Sequence, residues 1–491
     1  MDDFSRRAFL QSSAAAQTPI PAKPNILVIM FDQWRFDCLG ANGNKLIKTP
    51  NLDKLAAKSL RCTNTFVQAP VCVPSRISYL TGRYPHCHKN RVNYTPYRGP
   101  EPMLQSLLQS NGYQTASVGK LHFMPPTAAH AKTTGFDHVQ LDDGIPRTDP
   151  FSDYVKWRNQ ADSHAKEFHY NATQKSANPF KAKIDKQFTP TAWTGAETRR
   201  LLKDLAANPK PFFLFSSFFK PHAPYTVPAP YDALYNDINI PLPKPVDLTY
   251  IRQLPPPVQR MILRFKPAYD TNRELLQWMW RSYYAGVTML DDEVGLILME
   301  LENIPNTAVF VLSDHGDQML EHGLFGKNVF FEDSVKVPML IHAPGRIPPG
   351  TRTELTEAID VLPTILDLCG IKIPDTVQGR SLLKNESREM VFCENIMPEV
   401  ITNGDTGYPY TPGKGIDGIR HPDSKMVRTN RWKLNYYPGN GGELYDLEND
   451  PGEWNNLFKS QPARVSELKG AILDWLSTAD EVDQVAKHWD I

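Results

Sequence analysis

A chain of 491 residues with 41% hydrophobic and 22% charged residues has the make-up of a globular protein, which excludes disorder and coiled coil, and it is long enough for one large domain and a smaller one. Lys plus Arg and Asp plus Glu both number 54, so no net field invites nucleic acid or an anionic membrane, and any anion selectivity has to be local. Six cysteines (Cys38, Cys62, Cys72, Cys87, Cys369, Cys393) contain no Cys-x-x-Cys pair and are too sparse for a disulfide framework, and no run approaches the roughly eighteen apolar residues of a membrane span.

The chain opens with Ser5-Arg6-Arg7-Ala8-Phe9-Leu10 and a small-residue stretch to Ala16. Paired arginines ahead of an apolar stretch resemble a twin-arginine export signal, which predicts a leader over residues 1–23 and a periplasmic or secreted protein. Read instead as a basic tail, the same residues leave the chain cytoplasmic. Asn25 to Phe31 is a continuous apolar run without alternation, the pattern of a strand buried on both faces, and Asp32-Gln33 follows it directly. Leu52 to Lys58 reads as a short helix behind Pro50-Asn51. Cys72 to Arg83 reads as a helix start carrying a reactive group: Pro74 suits a first helical turn, and Ser75 is placed to accept from free N–H groups there. His86, His88 and Lys89 read as ordinary polar residues, while Arg91 and Asn93 are candidates for a pocket wall.

Met103 to Gln109 is the next helix, stopped by Asn111-Gly112, and Gln114 to Val118 is a short strand ending in Gly119-Lys120-Leu121-His122. Phe123 to Phe188 has weak periodicity and holds the sequon Asn171-Ala172-Thr173. A helix over 191–206 precedes the aromatic strand Phe212 to Phe219, which runs into Lys220-Pro221-His222. The proline-rich stretch Asn239 to Tyr269 reads, like 123–188, as a long loop walling a substrate pocket. Asn272 to Glu302 carries apolar residues at helical spacing, and Thr307 to Ser313 is a strand ending in Asp314-His315-Gly316-Asp317. Four apolar runs thus deliver polar groups at their C-terminal ends, and in a mostly parallel sheet those ends share one edge, where open α/β sheets bind ligands. From about residue 371 short strands near 390–393, 425–429 and 432–437, then Glu443-Leu444-Tyr445-Asp446-Leu447 and a helix over 463–475, predict an antiparallel sheet with a helix. The expected units are 24–370 and 371–491.

Cys72-Val73-Pro74-Ser75-Arg76 followed by Leu80-Thr81-Gly82-Arg83 resembles the signature of the formylglycine-dependent sulfatases. Asp32-Gln33, Gly119-Lys120-Leu121-His122, Lys220-Pro221-His222, Asp314-His315-Gly316, Gly326-Lys327 and Glu443 to Leu447 extend that resemblance in the family's order. It implies an alkaline-phosphatase-like α/β fold, with a large mixed, mostly parallel sheet between helices. It further implies that Cys72 is converted by a maturation enzyme to formylglycine, whose hydrate is the nucleophile. One divalent cation, calcium first and manganese or magnesium as alternatives, would be held by Asp32, Gln33, Asp314, His315 and the modified Cys72.

By the same resemblance Lys120 and Lys327 bind the sulfuryl oxygens, and His222 with Lys327 assists the leaving group. His122 takes a proton from the hydrate, which Arg76 holds. The implied reaction is hydrolysis of the sulfate monoester of a small molecule or saccharide. Gln33 stands where relatives commonly have Asp, and His315 where they often have Asn. That pairing looks like the phosphonate monoester hydrolase branch and keeps phosphonate monoesters or phosphodiesters open as substrates. A catalytically silent carbohydrate-binding member is the reading that remains if Cys72 is never modified.

Overall fold

Nine strands build the main sheet of the computed structural model: β1 (Asn25–Asp32), β2 (Leu60–Phe66), β3 (Gln114–Gly119), β4 (His138–Leu141), β5 (Phe212–Pro221), β6 (Thr307–Ser313), β7 (Lys336–His342), β8 (Gly350–Arg352) and β9 (Thr356–Glu357). The structure describes residues 23–93, 96, 97, 99, 101–143, 151–161, 179–269, 272–384, 386–396 and 423–477. The paired arginines and the Asn171 sequon lie outside them, as does much of the 123–188 segment.

The strand order is β4-β3-β5-β1-β6-β7-β2-β8, with β9 also on β2. β1 is central, parallel to β5 and to β6, and Ile29 stands between Ser216 and Val311. The unbroken apolar runs have a physical cause. Successive side chains of β1 point to opposite faces, so Ile26, Val28 and Met30 enter one core and Leu27, Ile29 and Phe31 the other. The first core is covered by the helices Cys72–Thr81, Leu104–Ser110 and Val361–Leu368, through residues such as Val73, Ile77, Leu108 and Leu362. The second is covered by Pro50–Ala56, Pro190–Ala206 and Arg273–Leu301. The long helix starts where its sequence says: Asn272 Oδ1 accepts from Leu275 N at the N-cap.

Two expectations change. Neither long stretch is all loop: 123–188 holds the helices Ala128–Thr133 and Asp153–Ala161 and strand β4, and the proline-rich one contains the helices Leu248–Ile251 and Pro256–Tyr269, the second opened by Pro256 and Pro257, since a first turn requires no intrahelical N–H bond. Strand β7, like β2 and β4, is not among the strands expected from the sequence. It carries Pro338, and it pairs antiparallel with β2 because a register irregularity in β2 between Cys62 and Thr65 falls opposite that proline.

The second sheet, β10 (Val391–Ile396), β11 (Asp423–Arg428), β12 (Trp432–Tyr437) and β13 (Gly441–Asp446), is antiparallel in chain order. The helix Pro462–Ser477 lays Val465, Leu468, Ile472 and Trp475 on Val427, Leu434 and Leu444. Val391, Cys393, Met426, Tyr437 and Tyr445 join the first core of the large sheet, so the two sheets share buried apolar surface. All six cysteines are free and buried. Among the described residues no helix is long and apolar enough to cross a membrane.

Candidate active site at the carboxyl edge of the sheet

β3, β5, β1 and β6 are neighbours and parallel, so their carboxyl ends meet as expected. Asp32 closes β1, Lys120 follows β3, His222 follows β5 and Asp314 follows β6. Gly119 makes the turn into Lys120 at φ 88, and a Cβ there would stand 1.9 Å from the Ser217 carbonyl oxygen, so no other residue fits.

The Cys72–Thr81 helix points its first residue at this edge, and every residue in it is buried. Its N-terminus is capped from outside: Asn93 Oδ1 accepts from Val73 N at 3.0 Å. Ser75 does not cap, contrary to expectation; its hydroxyl donates to the Asp314 carbonyl at 2.5 Å and so ties the helix to the end of β6. Asn93 thus supports the Cys72 turn from outside the helix. Arg91 turns the other way, to Glu394 of β10 at 2.9 Å and to Asp423.

Cys72 Sγ lies 3.2 Å from His315 Nε2, 3.8 Å from Asp32 Oδ1, 2.9 Å from Lys327 Nζ and 3.9 Å from Lys120 Nζ. Lys120 Nζ also donates to Asp32 Oδ2. Arg76 lies beneath, 1% exposed. Its Nε donates to Asp314 Oδ2 at 2.8 Å, its Nη1 to the Lys120 carbonyl at 2.6 Å and to Ser217 Oγ at 2.8 Å, and its Nη2 lies 3.6 Å from Asp32 Oδ2. Gln33 places Oε1 on Lys327 Nζ at 3.0 Å and Nε2 on Asp317 Oδ2 at 2.5 Å. His122 is held at φ 59 by the Asp143 carboxylate, which accepts from the N–H groups of Leu121 and His122.

The charges are strongly coupled. Burial raises the Cys72 thiol and Asp32 adds to that, yet Lys120, Lys327 and His315 together hold it well below the usual thiol range. Burial likewise opposes ionisation of Asp32, but Lys120, His222, Lys327 and Arg76 keep it far below the ordinary carboxylate value. Burial, reinforced by the charge of Lys327, pushes His222 down to about 3, so this imidazole is neutral at rest. Lys327 goes the other way: burial would lower it, and the Cys72 thiolate and Asp32 keep it protonated.

Asp32, Cys72, Asp314 and His315 offer donor atoms within 4.8 Å of one another. The donor set suits a divalent cation: two carboxylates, and an imidazole whose Nδ1 faces the Gly316 carbonyl at 2.9 Å, leaving Nε2 toward the cluster. Arg76 Nη2 is buried without a hydrogen-bond partner, a donor aimed at the same space. Asp317, Tyr225, Ser217 and Asp143 support this site and had no role in the sequence reading. Asp317 alone carried a signal, two residues after His315.

Residues 24–371 match the family model described as Sulfatase, and residues 320–476 match the one described as N-sulphoglucosamine sulphohydrolase, C-terminal. The chain belongs to the sulfatase family. It is similar to an arylsulfatase of Clostridium perfringens at 30% identity, over 94% of this chain and 95% of that one. It is similar to a choline-sulfatase of Rhizobium meliloti at 29%, over 96% and 87%. Among solved structures, a phosphonate monoester hydrolase of Agrobacterium radiobacter superposes with a TM-score of 0.78 at 24% identity, over 93% of this chain and 96% of that one. The sheet with its appended four-stranded sheet is therefore the alkaline-phosphatase-like fold.

The residues after the signature serve packing. His88 Nε2 meets Ser78 Oγ at 3.0 Å. His86 Nδ1 lies 2.6 Å from Glu394 Oε1; burial would lower this imidazole, but Glu394 more than offsets that and raises it to about 9. A histidine whose folded value is raised contributes stability that is fully present below its unfolded value near 6.5 and is lost as pH rises through about 9. His86→Asn should therefore flatten a fall in stability, on the order of 3 kcal/mol, between those pH values. Urea unfolding of both proteins at about pH 6 and about pH 9.5, either side of that window, checks this, and equal losses in the two would refute it.

Proposed function

We propose that this sulfatase-family chain hydrolyses the sulfate monoester of a phenol or carbohydrate, with a formylglycine made from Cys72 as nucleophile and one divalent cation at the sheet edge. The observation that carries the reading is the position of Cys72 Sγ, at a helix start against His315, Asp32 and Lys327. Asp32, Asp314, His315 and residue 72 are the proposed cation donors, with Gln33 Oε1 as the fifth through its second lone pair. When bound, such an ion neutralises charge that grows on the sulfuryl oxygens during displacement. Calcium suits the oxygen donors, and the His315 nitrogen is the donor that favours manganese.

A formylglycine hydrate supplies two hydroxyls on one carbon, one to attack and one to lose the proton that lets sulfate leave. This chain's own groups divide the rest of the work. Lys120 and Lys327 reach residue 72 from two sides and would bind the non-bridging sulfuryl oxygens as charge develops. Lys327 carries the available proton, and neutral His222 beside it would pass that proton to the leaving alkoxide or phenoxide. Arg76 Nη2 would hold the hydrate by a charge-assisted hydrogen bond. His122, its backbone fixed by Asp143, is the proposed base for the second step. Because Cys72 to Thr81 is buried throughout, the maturation enzyme would have to reach Cys72 before the chain folds. The twin-arginine-like leader makes the periplasm the proposed destination.

The Asp32-Gln33 and Asp314-His315 pairs favour one second reading, a phosphonate monoester or phosphodiester substrate for the same nucleophile. A panel of aryl sulfates and aryl phosphonates decides between them: higher kcat/KM on sulfates is expected, and faster turnover of the phosphorus esters overturns the first reading. Chelation should abolish turnover, with recovery on calcium or manganese; full activity after exhaustive chelation would remove the cation from the proposal.

A further inference from the structure

Gln33 occupies an unusual place. It follows β1 in the left-handed region at φ 67, held by Asp314 Oδ1 on its N–H at 2.9 Å and by the Tyr283 hydroxyl on its carbonyl at 2.8 Å. Its carboxamide is then caught between two groups of opposite polarity. Lys327 Nζ, which can only donate, meets Oε1 at 3.0 Å, and Asp317 Oδ2 accepts from Nε2 at 2.5 Å. Asp317 is fully buried and fixed in its turn: Oδ2 also accepts from the Tyr225 hydroxyl at 2.6 Å, Oδ1 from Met319 N at 3.1 Å, and its carbonyl from Arg35 Nη1 at 2.7 Å.

A carboxamide has two ends of nearly equal size, one accepting and one donating, and only its partners decide which end faces where. Both Asp317 oxygens are already acceptors, Oδ2 from Gln33 Nε2 and the Tyr225 hydroxyl and Oδ1 from Met319 N. We propose that Asp317 is a positioning residue that fixes the amide of Gln33, so that its oxygen, not its NH₂ group, faces Lys327 and the cation donors. In the reversed orientation the NH₂ would confront the Lys327 ammonium and turn N–H groups toward the cation. Partners behind a ligand of this kind typically account for about 10- to 100-fold in metal affinity. The inference rests on the proposed cation site and assigns the residue that orients one of its donors.

The test reverses that pair. Asp317→Asn can donate its own NH₂ to Gln33 Oε1 and so allows the reversed amide. It should weaken calcium or manganese binding by about 10- to 100-fold, read by calorimetric titration and by the cation-dependent rise in unfolding midpoint, with a matching fall in kcat/KM. Adding Gln33→Glu to Asp317→Asn restores the polarity, since the new amide at position 317 donates to one oxygen of the new carboxylate at position 33 and Lys327 donates to the other; affinity should return to within a few-fold of the parent. Gln33→Glu alone sets two carboxylates together and should bind the cation worse than the double variant. That comparison carries the same information if Asp317→Asn fails to fold. Unchanged affinity in Asp317→Asn, or a double variant no better than either single one, overturns the proposal. A parent protein that binds neither cation instead sinks the cation site itself.

Discussion

Replacement of Cys72 by alanine should lower turnover of aryl sulfate by about 10⁴- to 10⁶-fold, the scale on which enzymes lose rate when their nucleophile is deleted. The variant should nonetheless fold. The Cys72 side chain has polar neighbours on several sides, and Lys327 keeps its bond to Gln33 Oε1 when the sulfur goes, so the stability change stays below about 2 kcal/mol. The measurement is kcat/KM with a phenol-releasing sulfate, paired with urea unfolding. Mass analysis of the residue 72 peptide from the native host accompanies it, since conversion to the aldehyde removes the sulfur. An alanine variant that keeps a tenth of parental activity ends the case for residue 72 as nucleophile, and a parent peptide that retains its sulfur favours a silent, carbohydrate-binding chain.

Arg76→Ala has the largest expected effect on stability. The guanidinium is 1% exposed and serves Asp314, the Lys120 carbonyl, Ser217 and, at 3.6 Å, Asp32. Without it two buried carboxylates lose a balancing charge, and a carbonyl and a hydroxyl lose their donor. Breaking a buried ion pair from one side costs about 3–5 kcal/mol. Urea unfolding in chelator should show that loss, and a saturating divalent cation should narrow it, because the ion returns positive charge to the same carboxylates. Arg76→Lys keeps the charge but not the planar fork, so it should recover stability better than activity. A loss under about 1 kcal/mol in chelator would mean that Lys120 and Lys327 already balance the carboxylates alone, on the same scale.

The strand ends were legible because burial on both faces leaves an unbroken apolar run, and a polar residue directly after it stands out. Asp32, Lys120, His222 and Asp314 were found in that way, and Cys72 to Arg83 by its motif. β7 was hidden by Pro338, whose cost is met by an irregularity in a partner strand distant in sequence. Ser75 was read as a cap because its local sequence allows one, yet Asp314, 239 residues away, takes its hydroxyl. Arg91 was read as pocket wall, but its charge goes to Glu394 and Asp423 of the second sheet.

By itself the sequence determined the family resemblance, the strands that carry the site and the residue types available there, since these depend on hydrophobic periodicity and on motifs spanning a few residues; the order of those strands in the sheet came from the structure. Only the tertiary structure decided which of those groups touch and which way they face. The orientation of the Gln33 amide and the anchoring of Arg76 on Ser217 are set by donors and acceptors that the fold brings together from 141 to 294 residues apart. Hydrogen-bond polarity at that separation leaves no trace in local sequence.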